Sequence, residues 1–253
     1  MEKRWRNIKD FILSYRYSYG KNYLVSFPKT GRTWLTHMLS KINEMSSDII
    51  DIESTHDLSE IVLEDGFRQD PTILFKFNNR FRFRRSRVLF LVRDPRDVIV
   101  SHYHQVTKRS KSPLIFESMS DFIQDELLGF NRIIYFYNLW ANQRHIPGSF
   151  YLIKYENLLS DGISELNSIC KFLDVHIDDS LIHKIYNESS AEKMRLKELS
   201  NELDNFNDFG KERDYLKVRN AKIGGYRDEL DNVDIQYCND QLLNLDPYFN
   251  YNS

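Results

Sequence analysis

"SFPKTGRTWLTHML", residues 26–39, follows the apolar run "YLVSF" (23–27) and leads into Trp34, Leu35, Met38 and Leu39. The run is short, β-branched and aromatic, as a buried parallel strand is. The second half repeats apolar residues at helical spacing, so the join reads as a strand-to-helix turn. That turn holds Lys29, Thr30, Gly31, Arg32 and Thr33. The amides of Thr30 to Thr33 converge at the start of the helix, where exposed N–H groups and the helix dipole favour an anion. Two features separate it from a nucleoside-triphosphate loop: the lysine precedes the glycine, and no glycine stands five residues upstream. Taken alone, a structural turn with a solvated lysine explains the stretch equally well.

Working outward, "RVLFLV" (87–92) and "FYLIKY" (150–155) are the other two runs that read as buried parallel strands. The first of them enters "DPRDVIVSHYHQVTK" (94–108), a helical pattern with Pro95 at its first position. Helical spacing recurs in 32–44, 118–127 and 131–145, and again in 161–173, 178–188, 190–199 and 231–245. Strand and helix in this order predict an α/β fold, a central parallel sheet flanked by helices on both faces. No repeat and no Pro/Gly/Ser-rich linker divides the 253 residues, so residues 1–253 read as a single domain.

Composition narrows the function classes. A hydrophobic fraction of 41% supports a buried core, and a net charge of −2 argues against general nucleic-acid or anionic-membrane binding. "NNRFRFRRSR" (78–87) is a local basic cluster. Cys170 and Cys238 are far apart and in no metal-ligand spacing, which fits a reducing compartment better than a disulfide framework. The basic, amphipathic N-terminus lacks a continuous apolar region, and no window approaches a membrane span. The expectation is a cytoplasmic protein without a transmembrane segment, the N-terminal helix offering at most a weak membrane-surface contact.

"LVRDPRDVIVSHY" (91–103) repeats the theme of the first turn. Arg93 stands at a strand end and Ser101 two helical turns on, with Asp94 or Asp97 placed to cap or charge-balance the helix. A structural Arg–Asp pair is the alternative. Two strand ends that both offer phosphate ligands suggest a ligand with two separated phosphates. "VRNAKIGGYRDEL" (218–230) adds Arg219, Lys222 and Arg227 around Gly224-Gly225, either an exposed turn or a lid over an anion.

Together, "FPKTGRTWL", "RDPRDVIVSHY" and "RNAKIGGYRD" resemble the three donor-binding motifs of the sulfotransferases that use 3′-phosphoadenosine 5′-phosphosulfate (PAPS). "FYNLWANQRHIPGSFYLIKYENLLSD" (136–161) is similar to the run around that family's central strand. The resemblance spans about residues 21–230, with the motifs at 26–35, 92–103 and 218–227. It implies the P-loop nucleoside-triphosphate-hydrolase-like sulfotransferase fold and sulfuryl transfer to a hydroxyl or amine, giving 3′-phosphoadenosine 5′-phosphate (PAP), with no metal required. It further implies that Lys29 reaches the oxygen bridging sulfur and 5′-phosphate, offsetting charge on the leaving phosphate. Thr30, Gly31, Arg32 and Thr33 would hold the 5′-phosphate, and Arg93, Ser101 and Arg219 the 3′-phosphate. Trp34 would stack on adenine and Tyr155 would touch its edge. Asn220 and Ala221 replace the family's usual lysine and glycine, and Lys222 is placed to compensate. Ala191, in "SSAEKMR" (189–195), stands where an aromatic adenine contact is usual.

The acceptor base is the open choice. "FKFNN" (75–79) carries Asn78 where many relatives have histidine, and an amide cannot take a proton. "STHDLSE" (54–60) offers His56, with Glu53 and Asp57 as fallbacks. The acceptor could be a small molecule, a lipid or a carbohydrate. A PAP-binding protein without catalysis and a nucleotide or small-molecule kinase stand as alternative readings.

Overall fold

The structure is a computed structural model that describes residues 21–46, 48, 50–55, 86–110, 112–200, 216, 218 and 221–251. Four parallel strands form its sheet in the order β2-β1-β3-β4: β1 (Asn22–Ser26), β2 (Ile52–Thr55), β3 (Arg87–Val92) and β4 (Ser149–Lys154). The three apolar runs account for β1, β3 and β4. β2, "IEST", is a fourth strand that the apolar pattern does not reveal; among the described strands it pairs with β1 alone and forms one edge. "FYLIKY" also ends one residue sooner than its pattern: Tyr155 leaves the sheet and opens a helix.

Alternation along the strands sends side chains to two separate cores. Tyr23, Val25, Val88, Phe90 and Val92 face one layer. There they meet α2 (Pro95–Lys108), α3 (Met119–Gln124), α4 (Phe130–Gln143) and a C-terminal helix, Asn232–Leu242. Leu24, Leu89, Leu91 and Ile153 face the other, against α1 (Arg32–Met45) and three helices that follow β4. β4 is followed by α5 (Tyr155–Ser160), α6 (Gly162–Phe172), α7 (Asp179–Glu188) and α8 (Ala191–Leu199). The Asn232–Leu242 helix is α9. Helices therefore cover both faces, as the strand–helix order predicts. β3 is buried from Val88 to Val92. Each such residue contributes about 1.5–3 kcal/mol of transfer free energy, which anchors the middle of the sheet.

The order of strands also shapes the carboxyl end of the sheet. From β1 the chain moves out to β2 and then crosses back to β3 on β1's other side. That reversal opens a crevice between the loops leaving β1 and β3, at the carboxyl ends of the strands. Both phosphate-type turns lie on those loops. Among the described residues, no helix is long and apolar enough to cross a membrane.

Candidate active site

The turn after β1 is shaped by its backbone. Lys29 has φ +72° and Gly31 φ +101°, two left-handed residues on either side of Thr30. A non-glycine residue there is strained by about 1–3 kcal/mol, a cost that persists where a side chain must be aimed. Thr30 is buried and its hydroxyl donates to the Phe27 carbonyl at 3.0 Å, closing the turn. The Gly31 carbonyl then accepts from Trp34 N–H (3.0 Å) and Leu35 N–H (3.2 Å), which starts α1. No described side chain caps that helix. This is the arrangement that presents first-turn N–H groups to an anion.

The turn after β3 is held from below. The Tyr137 hydroxyl accepts from Arg93 N–H at 3.0 Å and donates to the Arg93 carbonyl at 2.9 Å, and burial pushes that phenol well up. Asp94 caps α2 by accepting from Arg96 N–H (2.9 Å), and its own N–H donates to Glu156 (2.8 Å). Burial also pushes the Glu156 carboxyl upward. These bonds fix where the Arg93 side chain leaves the sheet. Its guanidinium lies 4.5 Å over the Tyr155 ring, and its Nη2 donates to the Lys222 carbonyl at 3.2 Å. Its Nε is buried and has no hydrogen-bond partner among the described residues. A buried, unsatisfied guanidinium nitrogen costs free energy that an anionic ligand would recover.

Asp97, four residues beyond Arg93, joins the third motif to the second. Its carboxylate accepts from Gly224 N–H and Tyr226 N–H, each at 2.9 Å, and lies 3.4 Å from Arg93 Nη2. The loop "AKIGGYRD" is thereby docked on α2 beside the β3 turn. Lys222 uses its carbonyl on Arg93, while its ammonium pairs with Asp228 at 2.7 Å. Ala221 sits at φ +48°, a left-handed position that a glycine adopts without strain.

These pieces enclose one cavity of about 400 Å³, whose wall includes Lys29, Thr33, Trp34, Arg93, Ser101 and Tyr155. Gly31, Arg32, Ala191 and Lys222 also reach it. Thr30 is buried beneath the turn rather than on the cavity wall. Trp34 is pinned by its indole N–H, which donates to the Ser189 carbonyl at 2.6 Å, and its ring meets Tyr155 edge-on at 5.7 Å. Tyr155 closes against the turn so tightly that a Cβ on Gly31 would lie 2.6 Å from its ring. His56, Asp57, Asn78, Arg219 and Asn220 lie outside the described residues. Of the base candidates only Glu53 is described, on β2, exposed and 3.8 Å from Lys21.

Among the cavity residues that sequence reasoning missed, two carry polar groups. Gln105 lines the wall and its amide oxygen accepts from Lys29 Nζ at 3.2 Å. Tyr226 lines it as well, with the guanidinium groups of Arg96 and Arg227 at 4.8 and 4.5 Å from its ring centre. Their signal was position alone, since Gln105 falls one helical turn after Ser101. His102 and His104 serve packing. His102 is edge-on to Phe27 and Phe122, with burial and then Lys29 pushing its imidazole down to about 4. His104 pairs with Glu229 at 2.8 Å.

The comparisons with known proteins agree with this geometry. The family model described as "Sulfotransferase domain" matches residues 20–242. The chain therefore belongs to the sulfotransferase domain family, and its activity is sulfuryl transfer from PAPS to an acceptor. The 3-beta-hydroxysteroid sulfotransferase of Cavia porcellus is 27% identical over 197 residues, covering 70% of this chain and 67% of that protein. Human sulfotransferase 2A1 is 27% identical over 202 residues, with the same two shares. Mouse sulfotransferase SULT7A1, solved with PAP, superposes with a TM-score of 0.59 at 18% identity, over 88% of this chain and 83% of that one. Retinol dehydratase, solved with androsterone and PAP, gives 0.59 at 17% identity, over 89% and 81%. The likeness in structure confirms the P-loop-like α/β fold. Family membership removes the kinase alternative.

Proposed function

We propose that the cavity binds PAPS with its 5′-phosphosulfate over the start of α1 and its 3′-phosphate on Arg93 and Ser101. Trp34 and Tyr155 form the adenine side. The observation that carries this reading is the convergence of the 29–33 turn, the 93–101 turn and the 221–226 loop on one cavity. In the transfer step the acceptor oxygen attacks sulfur and the bond from sulfur to the bridging oxygen breaks. The electron pair goes to the 5′-phosphate of PAP, and the acceptor's proton goes to a base. Lys29 is the cation for the bridging oxygen, because the electron pair of the breaking bond arrives there as the 5′-phosphate leaves. Its early place in the loop follows: it serves the leaving oxygen, and the helix amides serve the phosphate. His56 is the proposed base. It comes one residue after Thr55, which ends β2 beside Val25 of β1.

The acceptor we propose is the hydroxyl of a small, largely apolar molecule. Val100, Met194 and Val218 give the wall an apolar part, and two similar relatives are named for hydroxysteroids. The test uses ³⁵S-labelled PAPS with a 3-hydroxysteroid, a phenol and a monosaccharide. Lys29→Ala is expected to lower transfer by about 10²–10³-fold, the scale for removing one donor to a developing oxyanion. PAP affinity should stay within about threefold, since the lysine's work falls mainly in the transition state. Wild-type turnover in that variant refutes the assignment of Lys29. PAP binding with no transfer to any acceptor would favour a binding protein without catalysis.

A further inference from the structure

Arg109 and Glu198 form an ion pair that neither core nor donor site requires. Their side chains are 2% and 0% exposed, with Arg109 Nη2 3.8 Å from Glu198 Oε1. Removing two charges from water is costly, and apolar residues of the same volume would fill the space at least as well. What the pair touches gives it a use. Arg109 is the C-cap of α2, and its Nη1 donates to Gln105 Oε1 at 3.1 Å, the same oxygen that accepts from Lys29 Nζ at 3.2 Å. Gln105 Nε2 donates back to the Arg109 carbonyl at 2.9 Å. With two cationic donors on one side and a carbonyl on the other, the amide has only one sensible orientation. On the far side, Glu198 Oε2 accepts from Val218 N–H at 3.0 Å, and Arg195 Nε donates to the Val218 carbonyl at 3.1 Å. Val218 lines the cavity and is followed in sequence by Arg219.

We infer that Gln105, Arg109 and Glu198 are positioning residues for sulfuryl transfer, a buried polar chain that sets the Lys29 ammonium and ties it to the C-terminal donor loop. This rests on the role given to Lys29 above. Gln105 acts through Lys29; Arg109 orients Gln105; Glu198 balances Arg109 and holds the backbone at Val218. Misplacing a reacting group by about 1 Å can cost about a hundredfold in rate, so an anchor outside the donor's contact shell can matter to turnover.

The experiment measures transfer from ³⁵S-labelled PAPS to 2-naphthol by the full chain, with release of labelled sulfate to water as the readout if naphthol is not accepted. Gln105→Leu should lower kcat by about tenfold to a hundredfold, the scale of a misplaced reacting group. KM for PAPS and calorimetric PAP affinity should stay within about threefold, the signature of a lost transition-state interaction. Gln105→Glu, which keeps an acceptor oxygen for Lys29, should recover most of the rate. In a Lys29→Ala background, Gln105→Leu should cause no further loss, because both changes remove the same effect. A wild-type kcat in Gln105→Leu, an additive loss in that background, or an equal loss of PAP affinity overturns the inference. The double variant Arg109→Gln/Glu198→Gln leaves no unpaired buried ion, and it should lower kcat and weaken PAP binding together. Wild-type values for both would remove the ion pair from the chain. Should Lys29→Ala itself turn over normally, the role of Lys29 falls; should it be slow while Gln105→Leu is normal, only the positioning chain falls.

Discussion

Replacing Gly31 by alanine probes how the two turns are locked together. Gly31 has φ +101°, and an L-residue in left-handed backbone costs about 1–2 kcal/mol. The new Cβ would also lie 2.6 Å from Tyr155 Cδ2 and 3.0 Å from Cε2. The ring has little room to move: it is 6% exposed, with the Arg93 guanidinium 4.5 Å over its face and Trp34 against its edge. Forcing carbon into a packed site of this kind costs about 1–3 kcal/mol. A central total of about 3 kcal/mol corresponds to a fall of about 6–12 °C in Tm for a chain of this size. The displacement has a second reading, because a shifted Tyr155 carries Arg93 with it. PAP affinity should therefore drop by about tenfold, equivalent to about 1.4 kcal/mol. Thermal unfolding with and without PAP measures the first effect, and calorimetry the second. A Tm loss under about 2 °C together with wild-type PAP affinity would refute both the strain and the coupling, since a loss so small is below 1 kcal/mol.

Arg93→Ala should weaken PAP binding by about tenfold to a hundredfold, the worth of charge-assisted hydrogen bonds to one phosphate, and wild-type affinity in calorimetry would refute its role. His102 yields a pH prediction. Its imidazole is pushed down from 6.5 to about 4, mainly by burial, so the folded state holds it neutral while the unfolded chain protonates it. Its contribution to stability is complete above pH 6.5 and is lost as pH falls from 6.5 towards 4. The loss is about 3 kcal/mol at the low end of that window. His102→Phe, with no proton to bind, should show a shallower acid loss in urea midpoints measured at both ends. An unchanged slope would show that His102 is not the group responsible.

How far the residues could be read depended on how locally each signal is written. β1 and β3 announce themselves because strands buried on both faces are nearly all apolar. β2 was invisible because an edge strand pairs on one side only, and "IEST" has neither an apolar run nor clean alternation. α5 was equally hidden, since "YENLLS" (155–160) is too short to show a helical period between the strand and the 161–173 pattern. The donor motifs were legible because a strand end, a glycine and basic residues occur within a few positions. Asp97 reads as a helix-start charge or as a partner of Arg93 one turn away, and the 3.4 Å Arg93–Asp97 pair matches the second reading. Its bonds to Gly224 and Tyr226 are made across 127 and 129 residues, which no local pattern encodes. Lys222 was expected to direct its charge to phosphate, and its ammonium pairs instead with Asp228.

By itself the sequence determined the α/β class and the two strand-to-helix turns that carry basic residues. Those follow from periodicity and from residue types in short windows, where backbone geometry is set by near neighbours. Only the tertiary structure decided that the turns after β1 and β3 share one crevice, because that depends on strand order and the reversal at β1. It alone brought Tyr155 against Gly31, Asp97 under the C-terminal loop, and Gln105 to Lys29. Each of those contacts joins residues far apart in the chain, and the packing of helices on both faces of the sheet is what makes them neighbours.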